Sequence, residues 1–374
     1  MIEIKNSNRF SEPVKIIIAG GGTGGHIFPA IAIANAIKQI EPKADILFVG
    51  AKGKMEMEKV PQAGFRIKGI DIAGFNRSSL IKNIGLPLKL ITSFFQVRKI
   101  INAFKPIAVI GVGGYSTFPV LRYAQAKGIK TFIHESNSFA GKSNILLGKK
   151  ATMVFVASEG MERFFPKDKI LITGNPVRKA IAESNIEKSI ALQFFGLDAA
   201  KKTLLVVGGS LGAKSINEVI AVHLQDIENL NVQLIWQTGK NNSQAYISKV
   251  KGFKNVWANE FIKEMEMAYA AADVVISRSG AMSVTELCVS EKAVVFVPFP
   301  HAAEDHQTSN AKSLVDKNAA LMVKDADAPA KLFSVVIDLL FDEAKQQELR
   351  QNIRLLAVSN ADEIVALEIL KNIK

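Results

Sequence analysis

Short runs of apolar, often β-branched residues recur along the chain, separated by longer stretches with apolar residues every third or fourth position. In the first half the short runs predict strands at Lys15–Ala19, Asp45–Val49, Ile107–Ile110, Lys130–Ile133, Met153–Val156 and Ile170–Thr173. In the second half they predict strands at Thr203–Val207, Val232–Gln237, Val256–Ala258, Val274–Ser277, Ala293–Val297 and Ala320–Val323. Most are apolar at consecutive positions, which suits strands covered by helices on both faces. Helical spacing marks Pro29–Ile40, Pro87–Phe104, Ala213–Gln225 and Ser283–Val289. Strands alternating with helices in this order predict parallel, doubly wound α/β sheets.

The two halves open alike. Val14–His26 runs from a strand into GGGTGGH, and Lys202–Asn217 from a strand into GGSLGAKSIN. A repeated strand, glycine turn and helix predicts two similar domains, which a length of 374 residues accommodates. The boundary is expected within Gly174–Ile181, giving domains 1–178 and 179–359. The last helix, 360–374, has no strand after it and is expected to cross back to the first domain.

Composition narrows the setting. Apolar residues make up 48%, enough for large cores, and the lone Cys288 excludes an internal disulfide framework or a thiolate zinc site. A reducing compartment is expected. The polar segment Met1–Pro13 does not read as a secretory signal, and no uncharged apolar run is long enough to span a bilayer. The net charge of +12 is uneven: up to Arg178 there are 26 Lys and Arg against 11 Asp and Glu, and beyond it 21 against 24. A basic half suits an acidic membrane surface, a phosphorylated substrate or nucleic acid, or is simply a solvated surface. No recognised nucleic-acid motif accompanies it.

Two glycine loops carry candidate chemistry. Gly20–Gly25 and Gly208–Gly212 each follow the first strand of a domain, where glycine lets backbone N–H groups approach a phosphate at a helix N-terminus. The first contains GxGxxG. A dinucleotide fold also wants an acidic residue at the end of the second strand, and Val49-Gly50-Ala51 has none. A third loop, Ser277–Gly280, opens a helix in which Ser283 and Glu286 have capping-box spacing. Glu286 is therefore either part of a cap or an acceptor for ribose hydroxyls.

The motifs GGGTGGH (20–26), GVGGY (111–115), HESN (134–137), GNPVR (174–178), GGSLGA (208–213), RSGAMSVTE (278–286) and EDHQTSNA (304–311) occur in one order over nearly the whole chain. The set resembles the MurG family of UDP-N-acetylglucosamine transferases of peptidoglycan synthesis. That resemblance implies the GT-B fold, two Rossmann-like domains with parallel sheets facing across a cleft. It also implies inverting transfer of N-acetylglucosamine to the 4-hydroxyl of the lipid I muramoyl-pentapeptide, forming lipid II at the cytoplasmic face of the inner membrane. By the same resemblance Thr23, Gly24 and Gly25 lie near both substrates and Asn137 contacts the donor sugar. Arg178 and Ser210 hold the donor, Ser210 near the phosphates, and Ile262 meets the uracil. Ala281, Met282, Ser283, Val284, Thr285 and Glu286 line the nucleotide, with Glu286 on the ribose, and Gln307 bonds the sugar hydroxyls. Ser136, Leu211 and His306 depart from the family's usual residues.

Inverting transfer needs a base for the acceptor hydroxyl and stabilisation of the departing diphosphate. His26, ending the first loop at a helix start, is the candidate base, or else a residue that bonds loop carbonyls. Glu135 and His134 are reserves. No clear Asp-x-Asp metal motif sits at a strand end, so no metal or other cofactor is expected, and Ser210, Arg178 and loop N–H groups are expected to hold the leaving UDP. Leu80–Phe104 mixes Ile81, Ile84, Leu86, Leu88 and Phe94 with Lys82, Lys89, Arg98 and Lys99, as an interfacial membrane segment does. Leu80–Leu88 is the part expected to be exposed, with most residues from Leu90 onward packed on the sheet. Competing readings are another GT-B enzyme, such as a UDP-N-acetylglucosamine 2-epimerase, and a dinucleotide-binding protein.

Overall fold

The computed structural model describes residues 13–74 and 85–373. The chain divides into two compact units, Met1–Val177 with Asn360–Lys374, and Arg178–Ser359.

The first unit holds a parallel sheet of seven strands: β1 (Lys15–Ala19), β2 (Asp45–Ala51), β3 (Arg66–Ile70), β4 (Ala108–Gly111), β5 (Lys130–Glu135), β6 (Met153–Val156) and β7 (Ile170–Ile172). Their spatial order is β3-β2-β1-β4-β5-β6-β7. Ile16, Ile17 and Ile18 of β1 are all fully buried. This is possible because helices cover both faces, so side chains of either parity find a core. Each such isoleucine contributes roughly 1.5–3 kcal/mol of burial. On one face Ile16 and Ile18 pack with Ile33, Ala34 and Ile37 of the helix Gly24–Ile40 and with Val365, Ala366, Ile369 and Leu370 of the helix Ala361–Asn372. The chain's last helix is thus part of the first unit's core.

The second unit holds β8 (Thr203–Val207), β9 (Gln233–Gln237), β10 (Val256–Asn259), β11 (Val274–Ser277), β12 (Ala293–Phe296) and β13 (Leu321–Met322). Their order is β10-β9-β8-β11-β12-β13, again all parallel.

The predicted strands are all present, with ends that agree or shift by no more than two residues. The sequence pattern missed β3, whose residues are mostly half exposed at the sheet edge and include Arg66 and Lys68. The helix predicted over Ala213–Gln225 stops at Val222, and a separate helix runs from Leu224 to Asn229.

The segment expected to meet lipid also differs from expectation. Leu80, Ile81, Lys82 and Ile84 lie outside the described residues. In the helix Leu86–Phe104 only Ser93, Val97 and Ile101 are buried, whereas Leu88, Leu90, Ile91 and Phe95 are exposed. Exposure therefore continues well past Leu90, because the helix packs against the helix Thr117–Ala126 and β3 along a single narrow stripe. Among the described residues no helix is long and apolar enough to cross a membrane.

Candidate functional site

In an open parallel sheet, ligands bind beyond the carboxyl ends of the strands where the strand order reverses. In the first unit that point lies between β1 and β4. Gly20–Gly22 leave β1 and Gly113–Gly114 follow β4, all with positive φ. The two turns are locked together. Gly21 N donates to the Gly113 carbonyl at 3.2 Å, and a methyl group added at Gly114 would lie 2.3 Å from the Gly21 oxygen. Only glycine allows this approach.

His26 sits over that crossing. Its Nδ1 lies 3.1 Å from the Gly21 carbonyl and 3.3 Å from Thr23 Oγ1. A carbonyl only accepts, so this contact assigns the proton to Nδ1 and makes Nε2 the basic nitrogen. The Nε2 edge of the ring rests against Gly113, where an added methyl would come within 2.7 Å of it. The two sequence alternatives for His26 are thus compatible: one nitrogen bonds the loop and the other carries the lone pair. Thr23 caps the helix Gly24–Ile40 through its backbone, accepting from the N–H groups of His26 and Ile27.

Sequence reasoning missed Glu56. It is fully buried, and its Oε2 accepts from Gly22 N at 2.8 Å while Oε1 accepts from Ala51 N at 3.0 Å. The first glycine loop therefore already has a protein carboxylate on one N–H that a phosphate would use. The expectation that both glycine loops cradle an anion is corrected here at Gly22. The signal lay in the missing acidic residue: none ends β2, but one arrives five positions later and faces the loop backbone.

The reserve bases are committed elsewhere. The Glu135 carboxylate accepts from Asn137 N, Asn137 Nδ2, Gly141 N and Asn144 Nδ2 at 2.8–3.3 Å. It is a loop organiser that fixes Asn137, not a group facing a substrate. His134 is fully buried between Ser136 Oγ and the Gly174 carbonyl, and burial pushes its pKa down to about 4.

In the second unit the order reverses between β8 and β11. After β8, Gly209 and Gly212 take positive φ, and the Ser210 and Leu211 carbonyls accept from Lys240 N and Asn241 N. A methyl at Gly239 would come within 2.0 Å of Gly212 N, so the loop after β9 docks directly under this turn. Ser210 is exposed at its tip. After β11, Ser279 is braced by the helix His306–Val315: its Oγ donates to the Gln307 carbonyl, and Asn310 Nδ2 donates to the Ser279 carbonyl. The Gln307 side-chain oxygen accepts from Phe299 N at 3.0 Å. Arg278 reaches the Val297 and Pro298 carbonyls, Asp325 and Ser215, tying the strand ends together.

The capping box is not formed. The helix starts at Ala281 with Gly280 as its N-cap, so Ala281, Met282, Ser283 and Val284 form its first turn, and Thr285 bonds the Ala281 carbonyl. Glu286 faces inward instead. Arg178 Nε and Nη2 both lie 3.0 Å from its Oε1, and Tyr269 OH donates to its Oε2 at 3.2 Å. Burial pushes the Glu286 carboxyl up, and the Arg178 guanidinium opposes this. The residues expected on ribose and on diphosphate thus bond one another here. Ile262 is buried, with its N–H donated to Gln237 Oε1 at 3.0 Å. Among the described residues no group of His, Cys, Asp and Glu side chains is arranged to hold a metal ion.

Residues 16–156 match the glycosyltransferase family 28 N-terminal domain and residues 203–365 its C-terminal domain. A protein of Bacteroides thetaiotaomicron is 50% identical over 362 residues, covering 96% of this chain and 97% of that relative. A protein of Flavobacterium psychrophilum is 49% identical over 360 residues, with 96% and 98% covered. Both are named UDP-N-acetylglucosamine--N-acetylmuramyl-(pentapeptide) pyrophosphoryl-undecaprenol N-acetylglucosamine transferase. The crystal structure of Acinetobacter baumannii MurG superposes with a TM-score of 0.77 at 30% identity, covering 96% of this chain and all of that one. A UDP-N-acetylglucosamine 2-epimerase superposes with a TM-score of 0.67 at 14% identity, a likeness of fold alone.

Proposed function

The chain belongs to glycosyltransferase family 28 and has the GT-B fold, and from that premise we propose that it makes lipid II. It transfers N-acetylglucosamine from UDP-N-acetylglucosamine to the 4-hydroxyl of the muramoyl-pentapeptide of lipid I, with inversion. The observation that carries the chemistry is the histidine at the first unit's switch point. Its Nδ1 is tied to the Gly21 carbonyl, which leaves Nε2 as the base for the acceptor hydroxyl.

The remaining roles follow from the groups each residue offers. Thr23, Gly24 and Gly25, at the start of the helix that carries His26, position the acceptor. Asn137, held by Glu135, meets the donor sugar. Ser210 and the first turn Ala281–Val284 meet the diphosphate, where helix N–H groups and a hydroxyl stabilise the charge leaving with UDP. Glu286 accepts ribose hydroxyls and Arg178 meets the diphosphate, which requires their mutual contact to open. Ile262 lines the uracil site. The Gln307 oxygen is held by Phe299 N, so its amide nitrogen serves the sugar hydroxyls. No divalent ion takes part in the chemistry. The enzyme works peripherally at the cytoplasmic face of an inner membrane. There the exposed Leu88, Ile91 and Phe95 enter lipid while Lys89, Arg98 and Lys99 meet anionic headgroups.

The test is transfer of labelled N-acetylglucosamine from its UDP conjugate to a lipid I analogue with chelator present. Lipid II product is expected. Free sugar or a 2-epimer without acceptor modification would overturn the assignment.

A further inference from the structure

Glu56 has no part in the scheme above, yet it bonds the same peptide group as His26. The Gly22 N–H donates to Glu56 Oε2 at 2.8 Å, and the Gly21 carbonyl faces His26 Nδ1 at 3.1 Å. That N–H and that carbonyl are the two ends of the Gly21–Gly22 peptide, which is planar and trans. We propose that Glu56 is a positioning residue for His26, acting through the Gly21–Gly22 peptide to hold the imidazole tautomer and support its positive charge during transfer. This rests on His26 being the base.

Hydrogen bonds in series polarise one another, more so away from water. A buried carboxylate on the N–H draws the peptide's electrons toward the carbonyl oxygen, making it a stronger acceptor for Nδ1–H. The proton stays on Nδ1 and Nε2 stays basic. When Nε2 takes the acceptor's proton, the imidazolium lies roughly 8 Å from the carboxylate, counting the two hydrogen bonds and the peptide between them. At that separation and an effective dielectric near 20, a unit charge moves a titration by about one and a half units.

The fit of Glu56 is close. Methyl groups at Gly21 and Gly50 would lie 2.3 and 2.5 Å from its side-chain carbons, and the second oxygen is held by Ala51 N. Other ionisable groups on the elements around His26 are His134 and Glu135 at the end of β5, Tyr115 after β4, Glu58 and Lys59 beside Glu56, and Asp362 and Glu363 starting the last helix. His134 stays neutral throughout the working range, because burial pushes its pKa down to about 4.

The experiment compares full-length Glu56→Gln, Glu56→Asp and His26→Ala with the unaltered chain. It measures kcat/KM for a lipid I analogue against pH, KM for UDP-N-acetylglucosamine, and UDP affinity. Glu56→Gln is expected to lower kcat about 10-fold to 100-fold, the loss of a charged hydrogen bond. It should also move the acidic limb of the profile down by about one and a half units, with UDP affinity unchanged. Glu56→Asp should restore part of the rate and return the limb toward its original place. A lost rate with an unmoved limb would reduce Glu56 to scaffold, and a full rate would remove it entirely; either overturns the proposal. If Glu56→Gln does not fold, nitrogen-15 NMR of histidine in the unaltered chain decides. Neutral His26 protonated on Nδ1 is expected, and protonation on Nε2 overturns the proposal. A near-normal His26→Ala would instead sink the base itself. An inactive His26→Ala beside an unmoved Glu56→Gln limb would leave the base standing and remove Glu56.

Discussion

Replacing Arg178 by methionine exposes how the second unit holds a charge in its interior. Two guanidinium nitrogens lie 3.0 Å from Glu286 Oε1, while the carboxylate is nearly buried and its other oxygen accepts from the Tyr269 hydroxyl. Opposite charges about 4 Å apart attract by about 4 kcal/mol at an effective dielectric near 20. The Arg178 side chain is 37% exposed, so screening reduces this to roughly 2 kcal/mol. Burial already raises the Glu286 carboxyl, and removing its main counterweight raises it further. A carboxyl that binds its proton more tightly folded than unfolded costs nothing where both states hold the proton, and destabilises progressively as pH rises from the unfolded value through the folded one. Urea unfolding of Arg178→Met should therefore match the unaltered chain most closely near pH 4.5 and fall short by about 2 kcal/mol at pH 8. Adding Glu286→Gln should recover most of the loss at pH 8. An equal deficit at both pH values, or no rescue by glutamine, would show that lost packing and not the stranded charge explains the effect.

His26→Ala should lower transfer by about 10²-fold or more, while titration with UDP shows unchanged affinity. Lys292 is held at about 8, below its usual 10.5, mainly by burial and then by Arg350. The folded chain sheds this proton first, so stability should rise between about pH 8 and 10.5, and unfolding of Lys292→Met should show a weaker rise, by about 3 kcal/mol. Gly113→Ala, with φ at +94° and His26 within 2.7 Å of the new methyl, should cost transfer more than it costs UDP binding, read by kcat and titration together. Serine at Leu88, Ile91 and Phe95 together should weaken retention on anionic liposomes at low salt; undiminished retention would discard that surface.

Strand positions were legible because burial on both faces leaves an unbroken apolar record, as in Ile16–Ala19 and Leu204–Val207. β3 was not, since its edge position lets Arg66 and Lys68 share the strand with Ile67 and Ile70. The glycine turns could be read as turns. Their partners could not, because the Gly21 contact with Gly113 joins residues 92 positions apart through backbone alone. Glu56 was invisible for a related reason. Nothing in Met55-Glu56-Met57-Glu58 tells the buried carboxylate from the exposed one two residues on, and only the fold turns Glu56 toward Gly22. The spacing of Ser283 and Glu286 suggested a cap, but the helix begins two residues before Ser283, so the serine lies inside the first turn.

The helix Ala361–Asn372, packed on the helix Gly24–Ile40, carries a consequence for synthesis. Val365, Ala366, Ile369 and Leu370 complete a core that holds Ile16 and Ile18 of β1 and Ile33, Ala34 and Ile37 of the helix Gly24–Ile40. During translation that face of the first unit stays uncovered until the helix Ala361–Asn372 has been made, and the whole of the second unit must leave the ribosome before it. Ribosome-stalled nascent chains ending near Ser359 should therefore keep an open, protease-sensitive first unit, and extending them through residue 374 and releasing them should close it.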